Sequence, residues 1–121
     1  MNQKTLVIGA SEKPDRYSNM AVKSLQDHGY GVVALGARHG LIGKIEILTG
    51  KPIIENIDTV TLYLSPANQK EYYSYIADDV KPQRVIFNPG TENMEFMKIL
   101  ERKGINCVVA CTLVMLSTDQ F

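Results

Sequence analysis

The sequence has few cysteines and no tryptophan, and neither sign of charge is in excess. Cys107 and Cys111 are its only cysteines, which excludes a framework of several disulfides, and no histidine lies near them in the chain to complete a zinc pattern. Thirteen basic residues balance thirteen acidic residues, so no overall charge indicates nucleic acid as a partner. We therefore expect reduced cysteines, and any anion site must be local.

Long hydrophobic runs and a leader segment are also missing. The N-terminus MNQKTLVIGAS lacks the apolar core and small-residue cleavage site of a signal peptide. No apolar run approaches the roughly 20 residues that span a bilayer. A length of 121 residues is typical of one domain. We predict a single domain over residues 1–121 that is cytoplasmic and has no membrane partner.

The chain does contain short β-branched runs that alternate with amphipathic segments. This alternation predicts an α/β fold, in which helices cover both faces of a doubly wound sheet of about five parallel strands. The predicted strands are TLVIG (5–9), GVVAL (31–35), TVTLYL (59–64), RVIF (84–87) and NCVVA (106–110).

Helix signals follow four of these strands. Each signal includes a Ser, Thr or Asn whose side-chain oxygen can accept hydrogen bonds from the free amides of a first turn. The predicted caps are Ser18 with Asn19, Ser65, Thr91 and Thr112. Pro66 suits the first position of the second helix, and Gly29 and Pro82 end the first and second helices. Glycine and proline divide residues 38–57, so only a short strand or a turn is predicted there.

Small and polar residues collect in the loops that follow the predicted strands. In a doubly wound sheet these loops share one edge, and ligands bind there around the point where the strand order reverses. The loops are GASEKPDRYSN (9–19), GARHG (36–40), SPANQ (65–69), NPGTEN (88–93) and CT (111–112). We therefore predict a ligand crevice at this edge.

The first of these loops has the features of a phosphate site. Gly9 and its small neighbours leave the backbone open to close approach, and a helix N-terminus offers N–H groups and partial positive charge. Ser11, Ser18 and Asn19 are candidate side-chain donors, and Arg16 is the candidate cation. The residues alone also allow a plain tight turn with a solvated Arg16.

The type of phosphate compound is only partly specified. GASEKP keeps only the first glycine of GxGxxG, so the dinucleotide fingerprint is not met. The second strand ends without the acidic residue that holds the ribose hydroxyls of NAD, and Arg38 and His39 follow it instead. Two potential cations suit a phosphorylated ribose, which NADP and coenzyme A (CoA) both carry. The residues leave these two ligands open.

Three motifs together resemble the small, stand-alone CoA-binding domain proteins: GASxxPxRxSN after the first strand, SP after the third and NPGTEN after the fourth. Such proteins are similar to the Rossmann-like, CoA-binding N-terminal domain of the succinyl-CoA synthetase α-subunit. The resemblance covers nearly the whole chain and implies binding of CoA or an acyl-CoA. The ligase domain of the synthetase and its phosphorylated histidine have no counterpart here, so we expect no catalysis by this chain alone.

The resemblance also implies roles for matching residues. Ser65 and Pro66 would flank the adenine or ribose, and Asn88, Pro89 and Gly90 would lie along the pantetheine path. The residues implied in the pyrophosphate loop are Gly9, Ala10, Ser11, Pro14, Arg16, Ser18 and Asn19.

One departure from the family pattern follows the second strand. Relatives often carry Asn-Pro where this chain has Gly36-Ala37, so Arg38 and Lys44 are the residues expected to meet the 3′-phosphate.

Two alternatives to a free-standing CoA-binding protein stay open. The chain could be an NADP-dependent or other nucleotide-using enzyme or enzyme subunit, or a regulatory module completed by another protein or by a second copy. Cys111 ends the fifth strand at the same edge, where packing is favoured over reaction with the ligand thiol.

Overall fold

The predicted apolar runs form five strands of a seven-stranded sheet in the computed structural model, which describes residues 4–121. The strands are β1 (Lys4–Ile8), β2 (Gly31–Leu35), β3 (Gly40–Ile42), β4 (Ile45–Leu48), β5 (Thr59–Leu62), β6 (Arg84–Phe87) and β7 (Asn106–Val109). They lie in the order β3-β4-β2-β1-β5-β6-β7. Neighbouring strands are parallel except β3 and β4. The predicted α/β class and Rossmann-like doubly wound sheet are confirmed.

The predicted helices also form within the described residues. They are α1 (Tyr17–Asp27), α2 (Pro66–Gln69), α3 (Met94–Arg102) and α4 (Thr112–Ser117). After α2 the chain continues through a 3₁₀ turn (Lys70–Tyr72) into a π-helical segment (Tyr75–Val80). In the part of the chain that the structure describes, no helix combines the length and the apolar character needed to cross a bilayer.

Successive residues of β1 pack into different cores on the two faces of the sheet. Leu6 lies in the core that Phe96 of α3 completes. Val7 lies in the other core, with Leu25 of α1 and Leu116 of α4. Since neighbouring side chains of a strand point to opposite faces, β1 must be apolar at both positions. This double coverage explains the continuous apolar runs of the sequence.

Three of the predicted helix caps are wrong, namely Ser18 with Asn19, Thr91, and Thr112, which is the first residue of α4 and follows the N-cap Cys111. Ser18 and Asn19 lie inside the first turn of α1, which begins at Tyr17 and has no side-chain cap. Both are buried, so they pack against the domain and do not flank the helix. Thr91 does not cap α3, because its hydroxyl donates to the carbonyl oxygen of Asn88 at 2.8 Å. The N-cap of α3 is Asn93.

The other helix boundaries follow the prediction. Ser65 occupies the N-cap position of α2 with Pro66 in its first turn, and its side chain makes no capping hydrogen bond. Gly29 follows α1 with a φ of +85°. Because an L side chain rarely adopts this conformation, glycine is the residue that ends such a helix.

The region that the sequence left least defined, residues 38–57, contains an antiparallel hairpin. Ile42 pairs with Ile45 across the Gly43-Lys44 turn, and β4 then pairs in parallel with β2 through Ile47. The sheet therefore extends two strands beyond the predicted five. The hairpin also lies beside the end of β2.

The strand order reverses at β1. After β1 the chain forms β2 and the β3–β4 hairpin on one side of β1. It then returns and forms β5, β6 and β7 on the other side. Ile8 pairs with Leu35 of β2 and with Leu62 of β5. The carboxyl ends of these three strands are therefore level, and the loops after them meet at one edge of the sheet.

Candidate functional site

The first residues after β1 are fixed by the neighbouring strands. The amides of Gly9 and Ala10 both donate to the carbonyl oxygen of Leu35, at 2.9 and 3.0 Å. Gly9 has a φ of +95°, and a Cβ atom there would lie 2.9 Å from the carbonyl oxygen of Tyr63. The space beside Gly9 is thus filled by the backbone after β5. These two amides are engaged within the chain and are not free donors for a ligand.

Ser11 is held in turn by α1. Its carbonyl oxygen accepts a hydrogen bond from Nδ2 of Asn19 at 2.9 Å, and its Oγ accepts one from the amide of Lys13 at 3.2 Å. Asn19, predicted as a cap and a phosphate donor, therefore ties the loop to the helix. The start of the β1–α1 loop (residues 9–16) is therefore held by β2 and by α1.

A first cavity of about 350 Å³ lies between this loop and the residues that follow β2. Its charged lining consists of Glu12, Lys13, Arg16 and Arg38, with His39 beside them. Three cations and one carboxylate give this cavity a positive character in a chain whose formal net charge is zero. Such a concentration of cations at one edge attracts an anion.

A second cavity of about 270 Å³ lies on the other side of the loop, at the point where the strand order reverses. Ser18 of α1, Ser65 of the loop after β5, and Pro89 with Gly90 of the loop after β6 line it. Ser11 and Arg16 line both cavities, whereas Ala10 lines only the first and Gly9 only the second. The structure thus brings loops far apart in sequence around a single arginine.

Five predicted site residues line neither cavity. Pro14 and Lys44 are exposed, with Lys44 in the hairpin turn, and Pro66 lies on the surface of α2. Asn19 and Asn88 are buried. The positions of the two asparagines indicate that they support the loops. Because β4 runs parallel to β2 and ends beside Leu35, the turn that precedes β4 lies toward the opposite edge of the sheet, so Lys44 is not at the site.

Asn88 joins three elements beneath the second cavity. Its Nδ2 donates to Oγ1 of Thr61 at 2.6 Å and to the carbonyl oxygen of Leu62 at 2.9 Å. Its Oδ1 accepts the amide of Thr112 at 2.8 Å. The side-chain amide therefore links the ends of β5 and β6 to the start of α4. This use of its polar atoms differs from the ligand contact that the resemblance implied.

Gln69 performs a similar function and was missed by sequence reasoning. It is fully buried, and its Nε2 donates to the carbonyl oxygens of Leu64 and Thr91 at 2.9 and 2.8 Å. Its Oε1 accepts Nδ2 of Asn93 at 3.0 Å. Because its partners lie up to 24 positions away, a single glutamine in SPANQ gave no signal of this role. The network fixes the loops after β5 and β6 relative to each other.

The hydroxyl of Tyr63 is buried below the second cavity and lacks a hydrogen-bond partner among residues 4–121. Burial is the main reason that its pKa is raised to about 12. The hydroxyls of Thr61 and Thr112 lie near enough to oppose this rise. Neither forms a hydrogen bond with the tyrosine within residues 4–121, and the two threonine hydroxyls bond each other at 2.8 Å. Tyr63 thus stays protonated at neutral pH.

The two cysteines are free and partly buried, as the sequence predicts for reduced thiols. Burial raises the pKa of Cys107 to about 11, and the carboxylate of Glu101 adds to the rise. Cys111 occupies the N-cap position of α4 and lines neither cavity. Its position agrees with the packing role favoured by the sequence.

Comparison with known proteins identifies related chains. A family model described as a CoA binding domain matches residues 3–117. A crystal structure of an uncharacterized protein is 45% identical, with a TM-score of 0.96 over 100% of this chain and 99% of that chain. A hypothetical protein from Pyrococcus horikoshii OT3 is 26% identical, with a TM-score of 0.85 over 97% of this chain and 83% of that chain.

A structure from Thermus thermophilus is also similar, at 23% identity and a TM-score of 0.85 over 99% of this chain and 91% of that chain. At this identity the likeness concerns the fold alone. No curated protein sequence matches the chain.

Proposed function

Because the chain belongs to the family of CoA binding domains, as its motifs predicted, we propose that it binds CoA or an acyl-CoA at the two cavities beside the β1–α1 loop. The position of Arg16 is the main support for this location of the binding site. It lines both cavities at the edge where the strand order reverses, and Lys13 and Arg38 lie in the first cavity with it. CoA carries its negative charge on a pyrophosphate and a 3′-phosphate, which match such cations.

The start of α1 completes the proposed pyrophosphate contact. The first amides of a helix have no intrahelical acceptor, and α1 has no side-chain cap to bind them. Arg16 occupies its N-cap position, and Tyr17 and Ser18, which line the second cavity, provide the first two amides. We therefore assign the pyrophosphate to these amides and Arg16, because the amides of Gly9 and Ala10 are engaged by Leu35.

The two ends of CoA then point into different cavities. The first cavity, with Arg38 and Lys13, suits the 3′-phosphate end of the nucleotide. The lining of the second cavity outside the loop has no charged residue and includes Ser65, Pro89 and Gly90. It suits the neutral pantetheine arm, whose amides and methyl groups need polar and apolar contacts but no ion pair.

We propose binding without catalysis by this chain. The two carboxylates and the histidine near the site already have internal partners. Glu12 accepts the amide of Leu41 at 3.0 Å, and Glu92 accepts that of Gly90 at 2.8 Å. His39 has one ring nitrogen 3.3 Å from a carbonyl oxygen and the other 3.1 Å from a hydroxyl. Such a site fits a binding or regulatory protein, which acts on a protein partner or a second copy of itself.

A thermal-shift series with CoA, acetyl-CoA, NADP, NAD and ATP tests this proposal. A ligand at about a hundredfold above its Kd stabilises the native state by roughly 2.7 kcal/mol, which raises Tm by several degrees in a domain of this size. We expect such a shift with CoA and acetyl-CoA. A shift with NADP and none with CoA would instead favour the NADP-dependent alternative.

A further inference from the structure

Glu12 makes a contact that its place in an exposed loop does not predict. Its Oε2 accepts a hydrogen bond from the backbone amide of Leu41, 29 positions later in the chain, at 3.0 Å. Leu41 lies in β3, so this bond joins the β1–α1 loop to the outer strand of the hairpin.

The hairpin has a bare position where the Glu12 side chain lies. A Cβ atom on Gly40 would lie 2.7 Å from Oε1 of Glu12 and closer still to its Cγ and Cδ atoms. The three heavy atoms nearest to that position all belong to Glu12. The φ of Gly40 is outside the left-handed region, so alanine suits the backbone there. Glycine at this position therefore provides room for the glutamate.

Glu12 does not pair with the cations of the first cavity. Lys13, Arg16 and Arg38 line that cavity together with Glu12. Within residues 4–121 Glu12 forms no salt bridge with any of the three, and the salt bridge found in that range, between Lys103 and Asp78, lies outside this cavity. A carboxylate bound to a backbone amide leaves the three cations available for a phosphate.

We infer that Glu12 is a positioning residue, which fastens the β1–α1 loop to the hairpin at Leu41 and Gly40 and thereby sets the width of the first cavity. The other hydrogen bonds described for the loop, to Leu35 and Asn19, lead to β2 and α1 and not to the hairpin. Loss of the Glu12 contact therefore loosens the first cavity and leaves the second intact. The consequence for ligand binding rests on the function proposed above.

Two fragments of CoA separate these cavities experimentally. Adenosine 3′,5′-bisphosphate represents the nucleotide end, and 4′-phosphopantetheine represents the other end. We expect Glu12→Ala to weaken binding of the bisphosphate about fivefold to tenfold, the equivalent of one hydrogen bond. Binding of 4′-phosphopantetheine should change less than about twofold. Glu12→Gln should retain the wild-type affinity, because the amide oxygen of glutamine can accept the same bond.

A double-mutant cycle tests the geometry directly. Gly40→Ala should weaken bisphosphate binding as Glu12→Ala does, because the added methyl group displaces the carboxylate. In a Glu12→Ala background the same Gly40→Ala change should have no further effect, since the overlapping atoms are gone. Titration calorimetry with the bisphosphate measures the affinities of the wild type, the two single variants and the double variant, which together form the cycle.

Hydrogen exchange of the Leu41 amide provides a measurement that needs no ligand. The amide should exchange slowly in the wild type and in Glu12→Gln, and faster in Glu12→Ala and Gly40→Ala. If the wild type binds neither the bisphosphate nor CoA, the proposed function is wrong, whatever the exchange rates. If the wild type binds but Glu12→Ala binds equally well or more tightly, or if Gly40→Ala acts equally in both backgrounds, the positioning role of Glu12 is wrong.

Discussion

Gly36 lies so close to Ala10 that a Cβ atom at Gly36 would overlap the carbonyl oxygen of Ala10. The amide of Gly36 also donates to the carbonyl oxygen of Leu48 at 2.9 Å. The obstacle is backbone, which cannot rotate away as the end of a flexible side chain can. Gly36 therefore allows the end of β2 to pack against the loop after β1, and packing accounts for the glycine at this departure from the family motif.

Gly36→Ala should lower both stability and ligand affinity. Overpacking of this kind typically costs about 1–3 kcal/mol, and the displaced atoms belong to the loop that holds Ser11 and Arg16. We expect a lower midpoint in urea unfolding and weaker binding of CoA by calorimetry. An unchanged midpoint would mean that the loop moves aside freely and is not held in place.

Arg16→Ala should weaken CoA binding strongly, because this side chain lines both cavities. Loss of a hydrogen bond to a charged group costs about 1.5–3 kcal/mol, or roughly a tenfold to hundredfold loss of affinity. The affinity of the variant should also depend less on salt than that of the wild type. Lys23→Ala is the matched control, since it removes the same charge from an exposed position of α1 outside both cavities. Equal effects of the two changes would indicate general attraction by charge.

Tyr63→Phe should leave stability at pH 7 unchanged or raise it by up to about 1–2 kcal/mol, because it removes a buried hydroxyl that lacks a partner. Urea unfolding of the wild type and the variant measures this difference. Asn88→Ala is the contrasting variant, since it leaves several buried groups unpaired and should destabilise the protein. A clear loss of stability in Tyr63→Phe would show that the hydroxyl is bonded in solution.

The same tyrosine predicts a dependence on pH with a definite sign. Its pKa is about 12 in the native state, above the ordinary value of 10.0. Between these values the unfolded chain releases this proton before the native chain does, so the contribution of Tyr63 to stability falls as pH rises. Below pH 10 the contribution is constant. The wild type should therefore lose more stability than Tyr63→Phe between pH 10 and 12, and parallel curves would contradict the assignment.

The sequence predicted the five parallel strands β1, β2, β5, β6 and β7 and the edge at which the site lies, because parallel strands that helices cover need apolar runs. It did not predict the hairpin at residues 40–48, since Gly40 and Gly43 interrupt the apolar pattern there. One of these glycines forms a turn, and the other makes room for Glu12, which comes from a distant segment. The reason for each glycine therefore becomes visible only in the folded chain.

Within the site, the sequence predicted which residues lie there better than it predicted the contacts that they make. Arg16 and Arg38 lie at the cavities as expected, whereas the amides of Gly9 and Ala10 are engaged by Leu35. The register of β1 against β2 decides which amides remain free, and a loop sequence contains no record of that register. The buried roles of Gln69 and Asn88 depend likewise on partners more than 20 positions away.

Cys107 should react slowly with alkylating reagents. Its pKa is raised to about 11 by burial, and the thiolate is the reactive form. In a Cys111→Ser background, which leaves one thiol, the rate of iodoacetamide modification should keep rising up to about pH 11. A midpoint near 9.0, the ordinary value for a thiol, would contradict the assigned environment.

Backbone NMR during titration with CoA tests the central claim most directly, because it locates the ligand residue by residue. The account predicts that the amide signals of Ser11, Tyr17, Ser18 and Arg38 shift as CoA saturates the protein. Signals at the opposite edge of the sheet, such as Gly29 and Gly104, should stay in place. Saturable shifts confined to that opposite edge, or no shift at all at millimolar CoA, would contradict the proposal.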